Sequence, residues 1–447
     1  MYTNDMNLSA FKAYDIRGEY PIEVNEELAY SVGRALVKYL SAKTIVVGRD
    51  MRLSSPSLLE KLIEGITAEG ADVINIGLCT TPMLNFSVAN YGYNGGVMVT
   101  ASHNPGKDNA FKVIGPGAIQ LDEGFGLSKI KEMVQAGFPA VSQTGAITDK
   151  DVLNDYLAHV LEFAGGISGL KVAVDYGNGV GSISAKPLLA RLDIEALEMY
   201  ETPDGNFPNH PANPHDEINF KDLKEKVVQE NCDMGIFFDG DADRATFVDE
   251  KGQIVPIDLL VTLFALDKIK EEKGGKVYYD LRFSKSIPDH IKRAGGEPVM
   301  MRVGNPFYKR KLAKEGGILG AEFSGHIMFP ENYNMDDGLF AAVKTMALLS
   351  ESGEKMSELI ESVREYYASP EESYEAAHPE TVHERLVAEF PEAKEVELDG
   401  TYLDFADGFI SVRQSKNEPQ FFRARVEEST KEEMENRFKK VIEIIKG

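Results

Sequence analysis

The sequence predicts an α/β chain of three related units followed by a smaller α+β domain. Three observations carry that prediction. Apolar runs that end at acidic or glycine-rich turns recur in the same order three times, helical stretches separate them, and residues 368–447 change to an antiparallel pattern. Thr44–Asp50, Lys171–Asp175 and Lys276–Asp280 each read as a strand ending in aspartate. Each is followed by a helical stretch and a second apolar run, at Ala71–Ile76, Ile194–Met199 and Pro298–Val303. A third run closes each unit, at Gly96–Val99, Asp233–Phe238 and Gly317–Gly320. Strand, helix, strand and third strand is the grammar of α/β units. The third runs lead into three unusual loops: Thr100–Pro105 (TASHNP), Asp239–Arg244 (DGDADR) and Ala321–His326 (AEFSGH). Ligand sites of α/β sheets gather at the carboxyl ends of strands, so three equivalent loops can converge on one central cleft. The plainer alternative is chance, because strand–turn–helix recurs in any α/β protein.

In the C-terminal region, residues 396–405, 408–413 and 421–426 read as antiparallel strands. A closing helix follows, with Thr430 as N-cap and Glu433 completing a capping box. Its apolar stripe is Met434, Phe438, Val441, Ile442 and Ile445. The acidic, helix-breaking stretch Ala368–Glu375 reads as the linker into this domain. The chain has 447 residues, more than one core usually serves. Domains are expected over residues 1–150, 151–254, 255–367 and 368–447.

No apolar run approaches the roughly 20 residues that span a membrane. The N-terminal segment lacks the basic and apolar regions of a secretory signal. The only two cysteines, Cys79 and Cys232, lie far apart, which argues against a disulfide scaffold and for a reducing cytoplasm. The formal net charge is -24, so the chain lacks the electrostatic footprint of a nucleic-acid binder. An anionic substrate must therefore be held by locally placed Arg and Lys residues.

The loops carry the candidate chemistry. TASHNP displays Ser102 at the tip of a buried strand, with Pro105 ending the strand pattern. A hydrolase nucleophile needs a base oriented by a third group, and the Gly-x-Ser-x-Gly elbow is missing. A phosphate carrier fits better, because phosphoryl transfer needs positive charge more than a protein base. DGDADR places Asp239, Asp241 and Asp243 at alternating positions, an arrangement that is costly without a cation. Hard oxygen ligands with no His or Cys nearby favour Mg²⁺. An EF-hand register over Asp239, Asp241, Asp243 and Glu250 puts Arg244 where that loop needs glycine. Arg17, Lys112 and Arg244 are candidate cations for the phosphoryl group. Gly177–Gly181 lacks the third glycine of a dinucleotide fingerprint and reads as a tight turn.

AEFSGH offers Glu322, Ser324 and His326 at alternate positions, which share one face of an extended loop and suit sugar hydroxyls. Arg413, Ser415, Lys416 and Asn417 form a donor-rich turn that could clasp a phosphate, with Arg423 and Arg425 assisting from the next strand. A solvated basic hairpin is the alternative.

Together these motifs resemble the α-D-phosphohexomutase superfamily, in its phosphomannomutase/phosphoglucomutase branch. The likeness runs the length of the chain, through Phe11–Gly18, TASHNP, Pro203–His210, DGDADR, AEFSGH and Arg413–Pro419. It implies three related α/β domains with mixed sheets and a C-terminal α+β domain of TATA-binding-protein-like fold. It also implies a phosphorylated Ser102 and one Mg²⁺ per chain, held by Asp239, Asp241, Asp243 and a phosphoserine oxygen. Arg17, His103, Lys112 and Arg244 match positions around the transferring phosphate, with Lys112 in the proton-transfer network. Glu322, Ser324 and His326 match the sugar loop, and Arg413, Ser415, Lys416 and Asn417 match the loop for the non-reacting phosphate. Asn305 stands where the family often has His, and Arg282 where Lys is usual. Ser415–Asn417 carries a lysine in place of a small residue and lacks the usual threonine.

The expectation is a cytoplasmic isomerase moving a phosphoryl group between the 1- and 6-positions of mannose or glucose phosphate. Hexose 1,6-bisphosphate would be its intermediate and activator. Its partners would be a phosphosugar, no nucleic acid and no membrane, with the chain a monomer or homodimer. The alternatives are a phosphoglucosamine mutase, a non-catalytic sugar-phosphate sensor and a serine hydrolase.

Overall fold

A computed structural model of the chain describes residues 7–140, 144–415 and 418–447. The chain divides into two compact units. The first comprises residues 1–255, 309–314 and 324–357, and the second residues 256–308, 315–323 and 358–447.

The first unit holds two sheets. One runs in the order 16–19, 108–114, 96–99, 44–49, 72–78, 147–149. Strands 44–49, 72–78 and 96–99 are mutually parallel, and 108–114 returns antiparallel beside 96–99. The other sheet runs 245–249, 234–238, 168–175, 193–199, and again only its hairpin partner, 245–249, is antiparallel. In the second unit, strand 276–280 lies between 297–301 and 319–321, all parallel. The three repeats therefore share one topology, with the second, first and third runs side by side. In each, the third strand neighbours the first, so its loop emerges beside the aspartate that ends the first.

Helices cover these sheets because their apolar residues recur at helical spacing. Glu26–Leu40 is capped by Asn25, whose side chain accepts Leu28 N–H at 3.0 Å, and it packs with Ser55–Ala68 over the first sheet. The core between them is aliphatic, from Val32, Leu36, Leu62 and Ile66 to Val47 and Val97. Cys79 and Cys232 are buried free thiols. Among the described residues no helix is long and apolar enough to cross a membrane.

The C-terminal sheet is antiparallel in the order 367–368, 421–428, 409–414, 401–404, 394–397. Two expectations need correction here. Residues 396–405 are not one strand but parts of a hairpin, Lys394–Glu397 with Thr401–Asp404, turned at Gly400. The stretch read as a linker is also largely strand: Tyr367–Ala368 and Glu372–Glu375 pair with Phe421–Glu428. Their acidic side chains lie on short edge segments, so no apolar alternation marks them. The closing helix spans Lys431–Lys446 with Thr430 as its cap. Met434, Val441 and Ile445 are buried on it, whereas Ile442 is only half-buried and Ile444 packs against the core.

Strand Phe421–Glu428 ends in a buried charge network. Glu427 is 0% exposed and accepts the Lys285 N–H at 2.7 Å. Asp258 accepts Arg425 Nη2 at 3.0 Å and the Ser284 N–H at 3.2 Å. Burial pushes the Glu427 carboxyl up from 4.5 to about 7. A carboxyl raised in the fold contributes its full stability below about pH 4.5 and loses it as pH rises through 7. Glu427→Gln removes that titration. Its stability relative to the parent should rise between pH 5 and pH 8, by on the order of 3 kcal/mol, in denaturant titrations. A difference independent of pH would refute the assignment.

Candidate active site

Strand Gly96–Val99 is buried throughout and delivers the chain to Ser102, which is 2% exposed. Ser102 takes a left-handed backbone, φ 53°, which turns its side chain out of the strand direction. Its hydroxyl donates to Asp239 Oδ2 at 2.7 Å and accepts from Arg244 Nη2 at 3.0 Å. The His103 ring, although adjacent in sequence, brings Nδ1 to 3.2 Å from the Ser102 oxygen. Arg244 Nη2 also donates to that Nδ1 at 2.5 Å. Burial and the neighbouring Arg244 charge push the imidazole far down, so His103 stays neutral and acts as an acceptor at Nδ1.

Strand Met234–Phe238 delivers the second loop. Asp239, Asp241 and Asp243 are each at most 2% exposed, and their ligand oxygens lie within 4.8 Å of one another. Burial lifts Asp239 to about 6 despite Arg244, with Asp243 and Asp241 adding repulsion. Burial would lift Asp241 as well, but Lys112 and a hydrogen bond from Thr81 hold it down at about 2. Lys112 Nζ lies 2.6 Å from both Asp241 Oδ2 and Asp243 Oδ2. Thr81 opens the helix Thr81–Tyr91, donating its N–H to the Asp241 carbonyl at 3.0 Å and its hydroxyl to Asp241 Oδ2 at 2.5 Å.

These residues fit a hard cation. Among the described residues, nothing donates a hydrogen bond to the buried Asp241 Oδ1 and Asp243 Oδ1. The donors are all carboxylate oxygens, and two cations, Lys112 and Arg244, answer three carboxylates. Glu250, the twelfth position of an EF-hand register, instead accepts Ser357 N–H at 3.1 Å and its hydroxyl at 2.5 Å.

Arg17 joins the serine loop from strand Ile16–Glu19. It donates Nη1 to the Ala101 carbonyl at 3.0 Å and to Asn104 Oδ1 at 2.5 Å, while Nε holds Asp15 at 2.8 Å. Ser324 offers its carbonyl to Arg244 Nη1 at 3.4 Å, and His326 Nδ1 lies 2.8 Å from Asp336 Oδ2. Residues 323–325 form a turn with Gly325 at φ 97°, so the loop is not the extended backbone that the alternation of Glu322, Ser324 and His326 assumed.

The remaining candidates belong to the second unit. Arg282 forks onto Asp280, with Nε to Oδ1 at 2.8 Å and Nη2 to Oδ2 at 2.6 Å. Glu322 accepts the Gly304 N–H at 2.9 Å, next to Asn305 at the start of the helix Asn305–Glu315. Arg413 lies opposite Arg423 in the strand register, and its Nη2 donates to Glu371 at 2.7 Å. Arg282 Nη1 reaches the same carboxylate at 3.3 Å. Burial would raise Glu371, but Arg282 and Arg413 hold it below its usual range. Arg423 is exposed, whereas Arg425 is buried and engaged with Asp258. Ser415 donates its N–H to the Phe421 carbonyl at 2.8 Å. Lys416 and Asn417 lie outside the described residues.

Sequence reasoning missed Thr81, His215 and Glu371. His215 Nε2 lies 3.3 Å from Arg244 Nη1, but no local pattern separates it from other polar loop residues. The only cue to Thr81 is the cap-forming Thr80-Thr81-Pro82 after a strand, and Glu371 sat in the segment read as linker.

Residues 8–139 match a family described as phosphoglucomutase/phosphomannomutase, alpha/beta/alpha domain I; residues 154–252 match its domain II and residues 257–367 its domain III. A phosphoglucomutase of Neisseria gonorrhoeae is 36% identical over 447 residues, covering 97% of this chain and 96% of that protein. A phosphomannomutase/phosphoglucomutase of Pseudomonas syringae pv. tomato is 34% identical over 433 residues, covering 95% and 92%. The X-ray structure of a phosphoglucomutase/phosphomannomutase family protein from Burkholderia thailandensis superposes with a TM-score of 0.88 at 31% identity, covering 98% of each chain.

The serine and aspartate loops meet at Gly240, where a Cβ would lie 2.4 Å from the Ser102 carbonyl oxygen. Gly240→Ala must therefore push the two loops apart. Thermal unfolding should show a loss of about 1–3 kcal/mol. A variant that melts with the parent would show that the contact yields freely.

Proposed function

The chain belongs to the phosphoglucomutase/phosphomannomutase family, and on that basis we propose that it is a phosphohexomutase carrying its phosphoryl group on Ser102. The substrate class is mannose or glucose phosphate, as the names of its relatives suggest. The reaction moves the phosphoryl group between the 1- and 6-positions. The observation that carries this reading is the Ser102 hydroxyl set between Asp239 Oδ2 and Arg244 Nη2, at the edge of a buried three-aspartate cluster.

In the forward half-reaction a sugar hydroxyl oxygen attacks the phosphorus of phosphorylated Ser102. The P–Oγ bond breaks, its electrons return to Oγ, and the proton lost by the sugar hydroxyl ends on Oγ. The bisphosphorylated sugar then turns round, and the reverse step returns the other phosphoryl group to Ser102. Arg244 stabilises Oγ as it leaves, and neutral His103 accepts from Arg244 and so fixes the guanidinium. Arg17 braces the loop at Ala101 and Asn104. Lys112 holds its proton firmly between two carboxylates, which fits a donor or electrostatic role at the phosphoryl oxygens. Asp239, Asp241 and Asp243 would hold a divalent hard cation, Mg²⁺ in this reading, whose charge would neutralise the phosphoryl group.

Glu322, Ser324, His326 and Asn305 are the proposed sugar contacts. Arg282, Arg413, Ser415, Lys416, Asn417 and Arg423 are proposed to hold the non-reacting phosphate, with Arg425 acting from behind through Asp258. The four-domain division at residues 150, 254 and 367 belongs to the same reading and is supported by the three family segments.

Phosphosite mapping of enzyme incubated with hexose 1,6-bisphosphate should place one phosphate on Ser102, and Ser102→Ala should abolish turnover. If no phosphate ever appears there, the scheme fails. Chelation should remove activity, and added Mg²⁺ should restore it. A coupled assay across mannose, glucose, glucosamine and N-acetylglucosamine 1-phosphates separates the mannose/glucose reading from an aminosugar mutase, and silence on all four would favour a sensor. Glu371→Gln leaves Arg282 and Arg413 without their shared counter-charge, so KM for the sugar phosphate should fall several-fold. A rise would show that Glu371 positions the arginines instead.

A further inference from the structure

We propose that Arg52 is a positioning residue for this reaction, holding the Ser102 loop in its transfer-ready shape without touching the reacting atoms. The inference rests on the reading of Ser102 as phosphoryl carrier. A loop that leaves a sheet loses the neighbouring strand that would satisfy its carbonyls, and buried carbonyls need donors. Arg52 supplies them. Its Nη2 donates to the carbonyls of Ser102 at 2.8 Å and Asn104 at 2.6 Å. Its Nη1 donates to those of Pro105 at 2.6 Å and Asp108 at 2.9 Å. Nε donates to Asp50 Oδ2 at 3.0 Å. All five N–H groups of the planar fork are used, and four grip one loop.

The fork is itself held. Arg52 is 0% exposed. Asp50 Oδ1 accepts the Arg52 N–H at 3.0 Å and the Ser55 hydroxyl at 2.6 Å, while the Phe207 ring covers the guanidinium at 5.5 Å. The segment carrying Phe207 packs so closely that a Cβ on Gly205 would lie 2.9 Å from Arg52 Cα. The clamp thus keeps Ser102 at φ 53°, a backbone that serine rarely adopts. In that conformation its oxygen lies between Asp239 and Arg244. An ammonium donates from a single point and cannot span four diverging carbonyls.

The test compares Arg52→Lys in the Mg²⁺-loaded enzyme with Arg34→Lys. Arg34 is a buried arginine bound to Glu69 and the Pro139 carbonyl, neither of which belongs to the serine loop. Arg52→Lys should still take phosphate on Ser102 from hexose 1,6-bisphosphate, with KM within about threefold of the parent and kcat lower by about 100-fold. The ³¹P resonance of its phosphoserine should shift and broaden. Arg34→Lys should lower Tm while leaving kcat, KM and the resonance unchanged. The proposal is overturned if Arg52→Lys keeps kcat within about threefold, or if Arg34→Lys loses kcat in the same proportion. Should Arg52→Lys not fold, Phe207→Leu removes the ring over the guanidinium but none of its hydrogen bonds. A fall in kcat with unchanged KM and a moved resonance is then expected, and an unmoved kcat and resonance overturn the proposal. Absence of phosphate on Ser102 in the parent enzyme would instead defeat the carrier reading itself.

Discussion

Three carboxylates shut away from water dominate the first unit. Asp239, Asp241 and Asp243 repel one another, and burial strengthens the repulsion. The surrounding structure answers that charge from several directions. Arg244 comes from the loop itself, Lys112 from the antiparallel strand after the serine loop, and Thr81 from a helix N-terminus whose dipole favours a negative partner. Ser102 sits at the rim of this field, where a carried phosphoryl group would meet fixed positive groups. The first two repeats are joined by the same balance, since neither the aspartate loop nor Lys112 could be buried without the other.

The repeats also share a smaller device. Asp175 and Asp280 each end a first strand and Asp50 directly follows one, and each accepts the backbone N–H two residues on, from Gly177, Arg282 and Arg52. In the first and third repeats the residue two on is an arginine that forks back onto the aspartate. One arginine reaches the serine loop and the other reaches Glu371. In the third repeat the aspartate also accepts the Phe323 N–H at 3.1 Å, so the first strand again steadies the loop after the third. The parallel order of second, first and third strands makes this possible.

Much of the fold was legible because burial imposes local patterns. The nine repeated runs appear as strands within a few residues of their expected bounds, and Thr430 caps the closing helix as read. Ser102, Asp239, Asp241, Asp243, Lys112 and Arg244 meet in one site, as their chemistry suggested. What stayed hidden depends on distant partners. Thr81 matters because residue 241 folds against it, and Glu371 because strands 372–375 and 421–428 pair. The alternation of Glu322, Ser324 and His326 misled because a glycine turn breaks the extended backbone that alternation assumes.

Gly240 has a consequence for how the site behaves in time. With no room for even a methyl group between its Cα and the Ser102 carbonyl, the two loops touch main chain to main chain. The spacing between the hydroxyl's loop and the acidic loop is then a property of the scaffold, which rotamer exchange cannot alter. Side chains around Ser102 can exchange partners while a sugar turns over, yet the ruler against which each half-reaction is measured keeps its length.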